Sequence, residues 1–174
     1  MTTSVIESRR STSQIATSTS DKTQGKLWRG SIQRNKRAGL GVVIQNHQGQ
    51  VLASLSENIA LPSSTDDVEA LATVRAVSFA VELGFSSIII EGDSKVVIKA
   101  LKNEKESLAT FGHLIFAARP TIDAFCNLSF SHTHRQVNII AHNLIRHAKH
   151  VSGYLVWMED VPPQLQNVLQ ADFS

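Results

Sequence analysis

Apolar and polar positions along the chain change period several times, and each change marks an element. Gly39–Gln45 (GLGVVIQ) and Val51–Ser56 are short β-rich runs. Asn46-His47-Gln48-Gly49 between them is turn chemistry, so the pair reads as a hairpin. Before it, Leu27–Gln33 reads as a weaker strand, interrupted by Gly30 and by charges. Ser64-Thr65-Asp66-Asp67 offers a helix N-cap and acids for a first turn. Val68–Leu83 follows with Ala, Leu and Val at helical spacing, and Gly84 is a natural stop. Ser87–Glu91 (SIIIE) is a continuous apolar run of strand length, the pattern of a strand buried on both faces. Ser94 can cap a helix through Leu101. Phe111–Phe125 reads as a helix with Pro120 as a break or kink. Asn127–Thr133 alternates as a strand does, Val137–Val151 reads as a last helix, and Pro162-Pro163 marks an extended tail.

The order β-β-β-α-β-α-α-β-α describes an α/β domain: a meander followed by βαβ units, giving a mixed sheet with helices on its faces. Such sheets collect function at the carboxyl ends of their parallel strands. Three regions are expected: a disordered tail over 1–25, a folded domain over 26–151 and a tail over 152–174. The first has Ser or Thr at twelve of its twenty-five positions and no hydrophobic period. Arg9 and Arg10 with few acids also allow a transit peptide there, but the amphipathic stripe is missing.

Composition narrows this picture. The 174 residues suit one domain, and 42% hydrophobic residues suffice for a core. One cysteine, Cys126, excludes a disulfide framework and any Cys-based zinc site. No run of about 18 apolar residues exists to span a membrane. With no export signal, cytoplasm or nucleus is the default compartment.

The net charge of +2 hides a division. Residues 26–37 carry Lys26, Arg29, Arg34, Lys36 and Arg37 and no acid, whereas residues 38–174 sum to −4. The basic block can neutralise several phosphates. It can equally guard a sheet edge against aggregation.

Asp93 stands directly after the apolar strand in IIIEGDS, where a strand-end carboxylate is available to a metal and also to a helix cap. Glu69 lies in the first helical turn of DDVEALATVRA. Five of the seven histidines fall between His132 and His150, which raises zinc. The spacing argues against it, because His142 and His147 point to different helix faces.

Together these blocks resemble the ribonuclease H-like domain of plant reverse-transcriptase-like proteins, a family related to retroelement polyproteins. The resemblance runs over residues 38–150. AGLGVVIQNHQGQVLAS is similar to the family's second and third strands, and VEALATVRAVSFAVELGF to its first helix, with Glu69 at the catalytic glutamate. IIIEGDSKVVIKAL is similar to its fourth strand, with Asp93 at the catalytic aspartate. FSHTHRQVNIIAHNLIRHA is similar to its last strand and helix. There His132 takes the place of the mobile catalytic histidine, Asn138 that of the family asparagine and His142 that of the fourth metal position. VWMEDVPPQL is similar to the tail of plant members.

The resemblance implies a ribonuclease H-like fold with a mixed five-stranded sheet and helices on both faces. It also implies a nucleic-acid partner, most of all an RNA–DNA hybrid, held by backbone shape and 2′-hydroxyls. Arg29, Arg34, Lys36, Arg37 and Asn138 are the expected nucleic-acid contacts. The implied chemistry is hydrolysis of the RNA strand with two Mg²⁺ ions about 4 Å apart. Glu69, Asp93 and His142 are the implied metal ligands.

One element departs from the family pattern. Its first aspartate belongs in a segment like V-D-G-A upstream of the hairpin, and here the segment reads Leu27-Trp28-Arg29-Gly30-Ser31-Ile32. Either Arg29 or Trp28 falls at the aspartate's place, and no acid lies between Asp21 and Glu57 to take it over. Glu91, on the same strand face as Asp93, is a weaker substitute. A site of four carboxylates carries −4, whereas Glu69, Asp93, neutral His142 and Arg29 sum to −1. Catalysis is therefore expected to be impaired. A degenerate paralogue and a mis-joined first exon both fit that loss. Three readings follow: a hybrid-cleaving ribonuclease, a non-catalytic nucleic-acid-binding domain, and a protein-interaction scaffold.

Overall fold

The structure is a computed structural model and describes residues 4–8, 11–19, 37–103, 109–133 and 139–167, with side chains from residue 37 onward. The chain runs β1 (Ser4–Ser8), β2 (Ser11–Thr19), β3 (Arg37–Gln45), β4 (Val51–Ala60), α1 (Thr65–Glu82), β5 (Ser87–Gly92), α2 (Lys95–Lys102), α3 (Gly112–Ile122), β6 (Asn127–His132), α4 (Ile139–Ala148) and β7 (Tyr154–Met158). A 3-10 turn over Pro163–Leu165 follows. The strands form one mixed sheet in the order β6-β5-β1-β2-β3-β4-β7, with β5 also pairing β2 and β1 also pairing β3.

Local chemistry sets most of these elements. In the β3–β4 turn, Asn46 Oδ1 accepts from the N–H of Gln48 and of Gln50, and Gly49 takes φ 78°. Ser64 caps α1 in a reciprocal box: Asp67 N–H donates to Ser64 Oγ at 3.1 Å, and Ser64 N–H donates to Asp67 Oδ2 at 3.1 Å. Gly84, at φ 81°, ends the helix. Ser94 Oγ accepts from Val97 N–H and starts α2. Pro120 sits near the end of α3, where the helix stops two residues later.

The strand alternation separates two cores. Val42, Ile44, Ala53 and Leu55 face α1 and meet Val77, Phe79, Ile88 and Ile90. Val43 and Val51 face the other way and meet Ile140, Leu144 and the tail residues Val161 and Leu165. α2 and α3 extend the first layer around Phe111, Ile115 and Val97. Helices thus cover both faces. Two serines stitch the second layer: Ser56 Oγ donates to Leu144 O at 2.6 Å, and Ser54 Oγ to Asp160 O at 2.8 Å.

Several expectations need revision. Residues 4–8 and 11–19, within the stretch expected to be a tail, form strands. β2 lies antiparallel to β3 and parallel to β5, in the middle of the sheet. A central strand is stabilised by ladder hydrogen bonds to both neighbours, which its own composition does not reveal. Val5 and Ile15 are each registered against both Ile44 and Ile90, so the amino-terminal tract enters the sheet at the gap between β3 and β5. The expected carboxyl-terminal tail supplies β7, which pairs β4 from Ala53↔Met158 to Glu57↔Tyr154. Arg75, bridged to Glu57 at 2.9 Å, also lies over the Tyr154 ring. Four of the five expected strands are β3, β4, β5 and β6, and β1, β2 and β7 join them in the sheet. β5 is fully buried on one face only, through Ile88 and Ile90, while Ile89 is half-buried. The expected strand over Leu27–Gln33 lies outside the described residues. Among the described residues no helix is long and apolar enough to cross a membrane.

Candidate active site

β5 and β6 run parallel and finish together, with Gly92 level with His132 and Thr133 N–H donating to Gly92 O at 3.0 Å. Asp93 follows at once and Ser94 turns the chain into α2. α1 begins at the same end of the sheet. Its cap at Ser64 makes Glu69 the fifth helical residue, at the start of the second turn rather than within the first.

Glu69 is only 3% exposed. Both of its carboxylate oxygens are buried without a hydrogen-bond partner. Burial raises its pKa from 4.5 to about 7; the Ser94 hydroxyl draws it down somewhat, and the charge of Asp93 raises it further. The Ser94 hydroxyl is thus near Glu69 but does not reach either oxygen in hydrogen-bonding geometry. Glu69 and Asp93, 24 positions apart in sequence, therefore meet as a pair of like charges at the strand ends.

His142 lies on α4, half-buried, directly after Ala141, whose carbonyl sits over Gly41 of β3. Gly41 is registered against Ser18 of β2, and β2 pairs β5 up to Ala16↔Glu91. Continuing that register brings Ser18 level with Asp93. The α4 layer thus crosses β3 two strands away from Asp93. His147, further along α4, rests edge-on against Trp157 with ring centroids 5.3 Å apart, and burial lowers its pKa. Arg37 opens β3; its Nε donates to Asn58 Oδ1 at 2.7 Å and its Nη2 to Asn58 O at 3.0 Å. Arg29, Arg34, Lys36 and Asn138 lie outside the described residues, as does His134.

The donor set decides what this end of the sheet can hold. Two buried, unpartnered oxygens beside a second carboxylate are hard donors of the kind Mg²⁺ takes. Among the described residues, however, no three His, Cys, Asp or Glu side chains come close enough to hold one metal ion. Glu69 and Asp93 amount to half a two-cation site, so the described residues do not fit a pair of metals. Sequence reading identified Ser94 as a cap but not as a neighbour of Glu69, because nothing in the spacing shows α1 and α2 converging.

The mixed sheet, flanked by helices and finishing in paired carboxylates, defines a ribonuclease H-like α/β domain. Residues 28–148 match the reverse transcriptase-like family, and the chain belongs to it. Among solved structures, a ribonuclease H1 from the archaeon Halobacterium salinarum is similar at 24% identity and a TM-score of 0.60, covering 70% of this chain and 92% of that one. The amino-terminal ribonuclease H domain of a Mycobacterium tuberculosis protein is similar at 20% identity and a TM-score of 0.61, covering 84% and 93%. A ribonuclease H1 designated LC11, solved in complex with RNA/DNA hybrid, is similar at 22% identity and a TM-score of 0.62, covering 85% and 99%. No curated protein matches the chain. At these identities the structural likeness speaks for the fold. The family match begins at Trp28, downstream of the β2 segment that lies between β3 and β5.

Proposed function

We propose that this chain is a nucleic-acid-binding ribonuclease H-like domain whose partner is an RNA–DNA hybrid, and that its hydrolysis is impaired for want of the first carboxylate. The observation that carries the reading is Glu69: a buried, unpartnered carboxylate beside Asp93 at the strand ends. Fully burying an ionisable group without a partner is costly, and such groups concentrate at functional sites. The family and the hybrid-bound LC11 structure support the choice of partner.

In this reading Glu69, Asp93 and His142 face the metals, His132 moves protons near the leaving group, and Asn138 with Arg29, Arg34, Lys36 and Arg37 touches the hybrid. The weakness is the first strand. By family pattern that strand is Trp28–Ile32, and by sheet pairing it is Ser11–Thr19. Neither segment contains Asp or Glu. Under either assignment the segment offers no carboxylate, which supports the reading of impaired hydrolysis.

Cleavage of a labelled RNA–DNA hybrid with Mg²⁺ or Mn²⁺ tests this, with Glu69→Gln and Asp93→Asn as controls. Hybrid binding with little or no cleavage is expected. Rapid cleavage by the parent that both variants abolish would overturn the claim of impairment. Absence of any salt-dependent binding would remove nucleic acid from the account and leave a protein-interaction scaffold.

A further inference from the structure

Past the end of α4, Lys149 and His150 reach the same cleft as Arg37, the first residue of β3. The cleft measures about 620 Å³ and is also bordered by Asn58, Ser152 and Gly153. None of the described residues that line it is acidic. The nearest strand acid, Glu57, belongs to the opposite sheet face, where it is bridged to Arg75 at 2.9 Å. Among the described residues Arg37 and Lys149 have no ion-pair partner. On a body whose net charge is −4 over residues 38–174, this is a local concentration of cations.

We propose that this cleft holds a backbone phosphate of a nucleic-acid duplex, at a distance from the Glu69–Asp93 pair. The proposal rests on the hybrid-binding reading above and extends it from Arg37 to Lys149 and His150. Three features support it. First, Asn58 fixes the Arg37 fork through Nε and Nη2, which leaves its other N–H donors aimed by a side chain already immobilised. Second, Gly153 takes φ 88° and has nothing within 4 Å of where a Cβ would stand, so one wall of the cleft is open to close approach.

Third, the cleft is on the productive end of the sheet. β3 is antiparallel to β2 and β2 is parallel to β5, so the start of β3 and the finish of β5 share an end. β3 lies two strand spacings from β5, about 10 Å, and Arg37 stands four residues beyond Gly41, about 13 Å along the strand, so the cleft is roughly 16 Å from Asp93. A duplex advances about 3.4 Å per nucleotide along one strand, so that gap corresponds to roughly five nucleotides.

The carboxyl terminus of α4 opposes an anion here, but weakly. A helix end carries about half a unit charge. Its last carbonyls are already engaged by the N–H groups of Lys149, His150 and Val151. The full charges of Arg37 and Lys149 outweigh it.

The test uses the full chain, a fluorescent RNA–DNA hybrid of about 20 base pairs and anisotropy at several salt concentrations. The double variant Lys149→Gln with His150→Gln should weaken hybrid binding several-fold. It should also reduce the log–log salt slope by about 1 to 2, as loss of one or two phosphate contacts requires. Lys149→Arg, which keeps the charge, should bind like the parent. Both side chains are exposed, so the fold tolerates these changes, and circular dichroism melts verify it. If the parent binds the hybrid and the double variant matches it in affinity and slope, the cleft proposal fails while hybrid binding stands. If the parent binds no hybrid, the functional reading fails, and the cleft is then judged by titrating inorganic phosphate. Saturating amide shifts at Ser152 and Gly153 that vanish in the double variant would uphold a phosphate site; their absence would overturn it.

Discussion

Gly41 of β3 lies so close beneath α4 that a Cβ placed on it would stand 2.6 Å from the Ala141 carbonyl oxygen and 2.8 Å from Leu144 Cβ. The neighbour it would strike first is helix backbone, which cannot swing aside as a side chain can. The helix next to Ala141 carries His142, so the glycine fixes the height at which that part of the candidate site rides over the sheet. Gly41→Ala should therefore lift α4 and loosen the layer formed by Val43, Ile140 and Leu144. Overpacking of this kind costs about 1–3 kcal/mol, or several degrees in Tm. A thermal melt unchanged from the parent would mean that α4 can shift freely.

The pH dependence of stability should report on Glu69. Its folded pKa of about 7 lies above the ordinary 4.5, so the native protein retains a proton that the unfolded chain has lost. That contribution to stability is complete below about pH 4.5 and disappears as the pH rises through 7. Above pH 7 a buried, unpartnered anion sits beside Asp93. Glu69→Gln keeps the shape and removes the charge. It should melt close to the parent at pH 4.5 and above it at pH 8. A variant whose Tm differs from the parent's by the same amount at both pH values would rule out ionisation of Glu69 as the cause.

The amino-terminal tract offers a sharper test of architecture. β2 pairs β3 over six positions, Gln14 to Thr19, and pairs β5 over four, Ser13 to Ala16. Removing an interior strand strips ladder hydrogen bonds from both neighbours and exposes two strand edges at once. A chain lacking residues 1–20 should lose its cooperative melt. If it melts like the parent, a segment downstream of residue 20 fills the gap between β3 and β5.

What was legible in the sequence follows from how local each cause is. The Ser64–Asp67 box, the stop at Gly84 and the Asn46–Gly49 turn are contained in a few consecutive residues, and their elements form where the pattern places them. Glu69 and Asp93 likewise stand out in the sequence because they sit in distinctive local strings. The rest depends on partners far along the chain. Ser11–Thr19 reads as a polar tract because a central strand draws its stability from neighbours and not from its own apolar content. Tyr154–Met158 reads as a tail because its strand character rests on an open edge of β4. Arg37, Lys149 and His150 share a cleft only because α4 runs along β3 towards its first residue, a relationship that spacing cannot express.

The last prediction separates the two candidates for the first strand and tests the diagnosis of lost activity together. If the family pattern gives the true register, Arg29→Asp should return a carboxylate to its place. It should also remove a cation from the same spot, changing the local charge by two units in favour of metal binding. If the sheet pairing gives it, the residues level with Gly92 and Asp93 are Thr17 and Ser18. Adjacent strand residues face opposite sides, so Thr17→Asp and Ser18→Asp must be made separately, and only one can point towards Glu69. A carboxylate that would let this end of the sheet hold a cation would be worth several kcal/mol of transition-state stabilisation, and each 1.36 kcal/mol is a factor of ten in rate. One of the three variants should therefore cleave a hybrid at least a hundredfold faster than the parent, roughly, in Mg²⁺. Its gain should vanish when Asp93→Asn is added. Gain in Arg29→Asp alone would place Trp28–Ile32 in the sheet, and gain in either of the other two would place Ser11–Thr19 there. If all three stay at the parent's rate while still binding hybrid, the missing carboxylate is not what limits this chain.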